Sequence, residues 1–291
     1  MEPSSRAFRS GRLKLHFWDF GTAGNPVVVL LHGWLDHARN WDWVAESLRD
    51  RYHVYALDLR GHGDSEWSSS GLYTPAEFVL DLAKLLDLLD AFPVRLVGHC
   101  LGGGVVLQYA GLYPDRVEKV ISIEGIGLPF DHHNAGAASG SQVRAWMEGV
   151  RHIERHPPKM EPTLEAAIDR LRSANPRLTQ ELARHLTRHG TTIATDGAVS
   201  WKSDSYARVL APYGYGVDEA IDVLKRISAP TLVIWGANSF VPIVEDDPRL
   251  LAIRDRRFVS IPNAGHWVYH DQLDAFTATA LGFLDVSSDF D

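Results

Sequence analysis

Short aliphatic and β-branched runs recur along this chain, separated by stretches with helical spacing, and that alternation restricts the fold more than any other feature. Val27–Leu31 has no polar break, as a strand buried on both faces requires. Val54–Leu57, Val94–Val97, Val117–Ile123, Thr231–Trp235 and Phe258–Ile261 read the same way, and Arg12–Phe20 alternates like an antiparallel opening strand. Between them, Thr74-Pro75-Ala76-Glu77 is a capping box with proline at the first helical position. Phe78, Leu82, Leu85, Leu86 and Leu89 follow at three- and four-residue spacing, giving one apolar face. Leu101–Leu112 and Gln272–Leu284 are two further helices. The expected class is α/β, a mostly parallel sheet flanked by helices.

The alternation stops near residue 130 and resumes near Val217. Asn134–Ser141 is a run of Ala, Gly and Ser with the composition of a hinge. Helical stretches rich in Arg and His follow, over 144–156, 163–173 and 179–189. Residues 131–213 carry 11 Lys and Arg against 9 Asp and Glu, whereas the whole chain is at −8. The division that follows is a core of 1–130 and 214–291 with a helical lid (cap) inserted at 131–213. Inserts at this end of a sheet sit where ligands bind; a solvated insert without a role is the plainer alternative.

Length and charge narrow the partners. The 291 residues suffice for one large domain. A net charge of −8 disfavours nucleic acid and anionic membrane, since both need a basic face. The first twelve residues lack the apolar stretch of a secretory leader. The apolar run Val27–Leu31 is far short of the ~20 residues that span a bilayer. The single cysteine excludes an intramolecular disulfide and a thiolate metal cluster. A soluble cytoplasmic protein is the expectation; oligomeric state is not legible.

The strand Val94–Val97 runs into Gly98-His99-Cys100-Leu101-Gly102-Gly103 and then a helix. Gly–x–nucleophile–x–Gly between strand and helix is the nucleophile elbow, which presents its central residue at a helix N-terminus, where an anion is favoured. The only cysteine of the chain occupies that centre. Leu30-Leu31-His32-Gly33-Trp34 follows the first buried strand, so the backbone N–H groups of Trp34 and Leu101 are candidate oxyanion donors. Asn263-Ala264-Gly265-His266-Trp267 follows the last strand, and His266 is the expected general base. The pairs His152/His156 and His185/His189 have helical i,i+4 spacing but no third ligand nearby, so neither a metal nor a cofactor is expected. Candidate pocket residues are His32, His99, Trp146 and Trp201, with Trp34, Tyr206 and Tyr213 as further aromatics.

With Leu30–Trp34, Asp58-Leu59-Arg60-Gly61-His62-Gly63-Asp64-Ser65, Gly98–Gly103 and Gly265-His266 in this order, the chain resembles the α/β-hydrolase superfamily. His32-Gly33-Trp34-Leu35-Asp36 and the helical insert look most like its serine hydrolase-like branch. The resemblance implies an eight-stranded sheet, a triad of Cys100 with His266, and a structural rather than catalytic role for Asp58–Ser65. The family usually has serine at the elbow; a native cysteine and a replaced serine read alike. The acid commonly follows strand seven in Gly-x-x-Asp, and Gly236-Ala237-Asn238-Ser239 offers only Ser239, from which little is expected. Some members carry the acid at the end of strand six, where Glu124 stands; Asp246 or Asp247 remains the alternative. The implied activity is hydrolysis of a carboxylic ester or thioester, a small-molecule acyl substrate, through an acyl-Cys100 intermediate on a Cys-His-Glu triad. Acyl transfer from the same intermediate, or a ligand-binding homologue without catalysis, are the other readings. The basic insert hints at an anionic acyl carrier.

Overall fold

The computed structural model describes residues 2–126, 139–209, 211–212, 216–243 and 246–286. Tyr213, both edges of the proposed lid and most of the Asn134–Ser141 hinge lie outside them. In chain order the elements are β1 (Ser4–Ser10), β2 (Leu13–Asp19), β3 (Val27–Leu31), α1 (Asp42–Leu48), β4 (His53–Asp58), α2 (Pro75–Leu89), β5 (Val94–His99), α3 (Leu101–Leu112) and β6 (Val117–Ile123). The inserted segment supplies α4 (Ser139–Arg155), α5 (Leu164–Ala174), α6 (Gln180–Gly190) and the short strands β7 (Thr191–Ile193) and β8 (Val199–Trp201). The chain then completes the core with α7 (Val217–Leu224), β9 (Thr231–Gly236), α8 (Pro248–Ala252), β10 (Arg256–Ile261), α9 (Val268–Asp271) and α10 (Leu273–Leu284).

Eight strands form one sheet in the order β1-β2-β4-β3-β5-β6-β9-β10. The first two pairings, β1 to β2 and β2 to β4, are antiparallel, and the others are parallel. Within β3 the side chains alternate between two cores. Val29 and Leu31 pack with α2 and α3, while Val28 and Leu30 pack with α1 and α10. Both faces are therefore buried, which is why β3 tolerates no polar residue.

Helix α2 is fixed at its start and along one side. The Thr74 hydroxyl and the Glu77 carboxylate cap each other's backbone as the sequence predicts, a device worth about 1 kcal/mol. Phe78, Leu82, Leu85 and Leu86 are buried, each contributing about 1.5–3 kcal/mol relative to exposure. Buried Arg60 pairs with Asp81 and Glu77, tying α2 to the loop after β4. That loop is held from the other side by Asp58, which accepts from the Ala38 and Asp64 amides and from His16.

Three elements depart from the sequence expectation. Strand β1 was not foreseen because only Phe8 and Ser10 of its seven residues are buried, so it carries no apolar pattern. The resumption at Val217 is helix α7, and the sheet itself resumes at Thr231. The hairpin of β7 and β8 is too short for a period to register.

The order reverses at β3: β4 lies on one side of it and β5 on the other. In open α/β sheets the crevice beyond the strand ends at such a point is where ligands bind. Cys100 and the loop that starts at His32 both leave the sheet there.

Candidate active site

Cys100 sits between β5 and α3 with φ 51° and ψ −111°, a strained conformation for a residue with a Cβ. It is held there because its N–H donates to the Ile123 carbonyl at 2.8 Å and its carbonyl accepts from the Gly104 N–H at 3.1 Å. Glycines allow the turn to close. A Cβ on Gly98 would meet the Gly102 carbonyl oxygen at 2.2 Å, and one on Gly102 would meet the Leu31 carbonyl oxygen at 2.4 Å. The thiol is half-buried.

The loop after β3 presses on this turn. A Cβ on Gly33 would lie 3.2 Å from the Cβ of Cys100. Trp34 is therefore beside the thiol in space, and Leu101 is the first residue of α3, whose leading N–H groups have no intrahelical acceptor.

His266 lies in the loop between β10 and α9 and is 7% exposed. Its Nδ1 donates to Glu124 Oε2 at 3.0 Å, and the ring lines the same cavity as Cys100. Burial lowers its basicity, but the hydrogen bonds and negative charges of Cys100 and Glu124 outweigh burial and raise its pKa to about 9. His266 and Glu124 thus form a buried hydrogen-bonded pair beside Cys100.

Glu124 follows β6 with φ 55°, and its side chain is wholly buried. Oε1 accepts from the Gly236 N–H at 2.6 Å; Oε2 accepts from the Ser239 hydroxyl at 2.6 Å as well as from His266. These three donors make a buried carboxylate tolerable. Little was expected of Ser239, yet it closes this network. Its position keeps the usual acid's place in the loop after β9, and there it steadies the carboxylate supplied by β6. The alternative acid Asp247 is engaged otherwise, capping α8 and pairing with Arg249 at 2.7 Å, which holds its carboxyl below the ordinary range despite burial. Asp246 is exposed.

A cavity of about 500 Å³ opens on Cys100 and His266. The inserted segment supplies its apolar wall through Leu171, Leu178, Leu186 and Trp201, and the core supplies Trp34 and Phe240. Phe240 is 73% exposed and its ring centroid lies 4.8 Å from that of His266, so it stands at the mouth. Of the pocket residues foreseen, Trp201 lines the cavity and His32, His99 and Trp146 do not. His32 is spent on the backbone: Nδ1 donates to the Gly33 carbonyl at 2.6 Å and Nε2 accepts from the Leu59 N–H at 3.0 Å. His99 donates from Nε2 to the His266 carbonyl at 3.0 Å, so it positions the His266 loop from beneath. Trp146 sits on α4, away from the cavity wall. The leucines of α5 and α6 were missed because their spacing reads equally as helix core.

Among the described residues the His and Asp groups close enough to share a cation are His16, Asp58 and Asp64. Asp58 is already filled by two amides and His16, and Asp64 pairs with Lys202 at 2.6 Å, so this trio is a structural joint. The pair His185/His189 is turned toward the core, with His185 Nε2 donating to the Arg39 carbonyl at 3.0 Å.

A family model described as alpha/beta hydrolase fold matches residues 26–273. An esterase of Mycobacterium tuberculosis is 28% identical over 287 residues, covering 97% of this chain and 90% of the relative. A serine hydrolase-like protein of Dictyostelium discoideum is 24% identical over 274 residues, covering 88% and 74%. A thioesterase domain from the curacin biosynthetic pathway superposes with a TM-score of 0.82 at 24% identity, over 97% of this chain and 100% of that domain.

Proposed function

From the premise that the chain belongs to the α/β-hydrolase family, we propose that it hydrolyses carboxylic esters or thioesters through an acyl-cysteine intermediate. The observation that supports this reading is that His266, hydrogen-bonded to buried Glu124, lines the same cavity as Cys100. His266 takes the thiol proton, and the resulting thiolate attacks the substrate carbonyl. The amides of Trp34 and Leu101 receive the oxyanion. The imidazolium then protonates the departing alcohol or thiol. Acylation also removes the Cys100 charge that helps hold the proton on His266, so the ring becomes the base that activates water for deacylation. Glu124 fixes the tautomer throughout. The inserted segment acts as a lid whose leucines receive the apolar part of the acyl group.

The relative named an esterase supports this reading. Epoxide opening by an aspartate nucleophile is not compatible with cysteine at position 100. The test is a p-nitrophenyl ester and acyl thioester series with rapid mass measurement of the protein. An acyl adduct on Cys100 that decays with the turnover rate is expected. Turnover unaffected by Cys100→Ala would overturn the assignment. Cys100→Ser separates the two origins of the elbow: a replaced serine gives higher ester turnover on reversion, whereas a site built around a thiolate loses nearly all of it, since His266 ionises a hydroxyl less readily than a thiol.

A further inference from the structure

A second cleft, of about 600 Å³, shares Gly63 and the strip Trp201–Ser203 with the cavity above Cys100. The strip is pinned. Lys202 N–H donates to the Gly190 carbonyl at 2.8 Å, the Asp204 N–H donates to the Gly61 carbonyl at 2.8 Å, and the Lys202 ammonium pairs with Asp64. The two spaces therefore flank one fixed partition and differ in chemistry. The first is walled by leucines and aromatic rings. The second presents Asp64, Glu66, Lys159 and Lys202, several hydroxyl side chains, and the face of Trp67, which is 50% exposed.

We propose that the second cleft receives the leaving half of the substrate and that this half is an uncharged alcohol bearing several hydroxyls; the inference rests on the ester-hydrolase reading above. Two carboxylates stand against two ammonium groups, so the cleft has no net charge to attract a phosphate or carboxylate. Paired charges and hydroxyls offer both donors and acceptors, as a polyol needs. The exposed indole gives a flat apolar surface for its C–H face. An acyl chain among Leu171, Leu178 and Leu186 with its carbonyl at Cys100 directs the ester oxygen toward Gly63, Lys202 and Ser203, which line both spaces.

The experiment compares glycerol monohexanoate with methyl hexanoate, which share the acyl group. Binding is read by calorimetry on Cys100→Ala, so it does not depend on turnover and survives failure of the hydrolase reading. The glycerol ester should bind about tenfold more tightly, the effect of one or two added hydrogen bonds. Trp67→Ala and Lys159→Met should each remove about threefold or more of that preference and leave methyl hexanoate unchanged; Trp67→Phe should keep it. Equal affinity of the two esters overturns the proposal. So does a loss in Trp67→Ala that is the same for both esters, because that marks a structural effect.

Discussion

Glu124 and Ser239 divide between them a position that one residue usually fills. The Ser239 hydroxyl lies 2.6 Å from the same Oε2 that receives His266, so a carboxylate at position 239 would reach that ring. Glu124→Gln should lower kcat by about two to four orders of magnitude with the fold intact, because the amide no longer selects the tautomer. Ser239→Ala removes one hydrogen bond to a charge and should lower stability by about 1.5–3 kcal/mol, measured by urea unfolding. Glu124→Ala combined with Ser239→Asp should recover part of the activity that Glu124→Ala loses; a double variant no better than the single one counts against the exchange. A second residue-scale expectation concerns charge. His266 is raised to about 9 partly by Cys100, so alkylating Cys100 to a neutral thioether should lower the His266 pKa, read from its ring proton shifts. An unchanged titration would show that Cys100 contributes nothing to it. The elbow and the His266 loop were legible because glycine spacing and strand context carry them. The Ser239 contact was not, because nothing local announces that a serine will serve a glutamate 115 positions earlier.

At the scale of elements, legibility followed burial. Strands buried on both faces were readable; β10 was read with them from its apolar residues, but as the edge strand it buries only Ile261. Helices α5 and α6 start after Thr163 and Thr179, whose hydroxyls cap the Ala166 and Leu182 amides. The half-exposed β1 and the three-residue β7 and β8 gave no period to read. The inserted segment has a small core of its own in Ile168, Leu178, Ala183 and Leu186. It is also stitched to the sheet domain by buried polar contacts. Tyr73 donates to Asp204, His37 donates from Nε2 to the Leu186 carbonyl at 2.9 Å, and Trp34 donates from Nε1 to the Ala207 carbonyl at 2.8 Å. Deleting residues 135–210 would remove all three contacts and the packing around them. Such a deletion should therefore lower core stability as well as change selectivity, although the sheet is complete without it. Asp204→Ala is the sharper variant. It orphans the Tyr73 hydroxyl and should cost about 1–3 kcal/mol by urea unfolding, with KM for bulky esters changed more than kcat. Asp204→Asn, which still accepts, should be milder. Identical behaviour of the two variants would remove Asp204 as the tie.

Acid is expected to unfold the whole molecule because of how it stores its histidines. Burial pushes His62 down to about 3 and His189 down to about 4, and it also lowers His32, His99 and His270. In His62 the reason is visible: Nδ1 donates to the Arg60 carbonyl at 2.8 Å, while Nε2 is buried with no hydrogen-bond partner among the described residues. A proton there would be a charge without an acceptor. The unfolded chain has no such restriction and its histidines bind protons near pH 6.5. Below that pH the unfolded state holds more protons than the native one, so stability falls with pH. For depressed histidines the window runs from about 6.5 down through the folded values of about 3 and 4. Each ring adds a slope of up to about 1.4 kcal/mol per pH unit. The opposing group is His266, whose raised value favours the native state at low pH. Several depressed rings against one raised ring leave the net sign unaltered. Urea unfolding at pH 7, 6 and 5 should give a loss that exceeds one proton's slope between the last two points. A flat profile over that interval would mean that the buried histidines are already charged in the native protein, and the hydrogen-bond roles assigned to His32 and His99 beneath the site would fall with it.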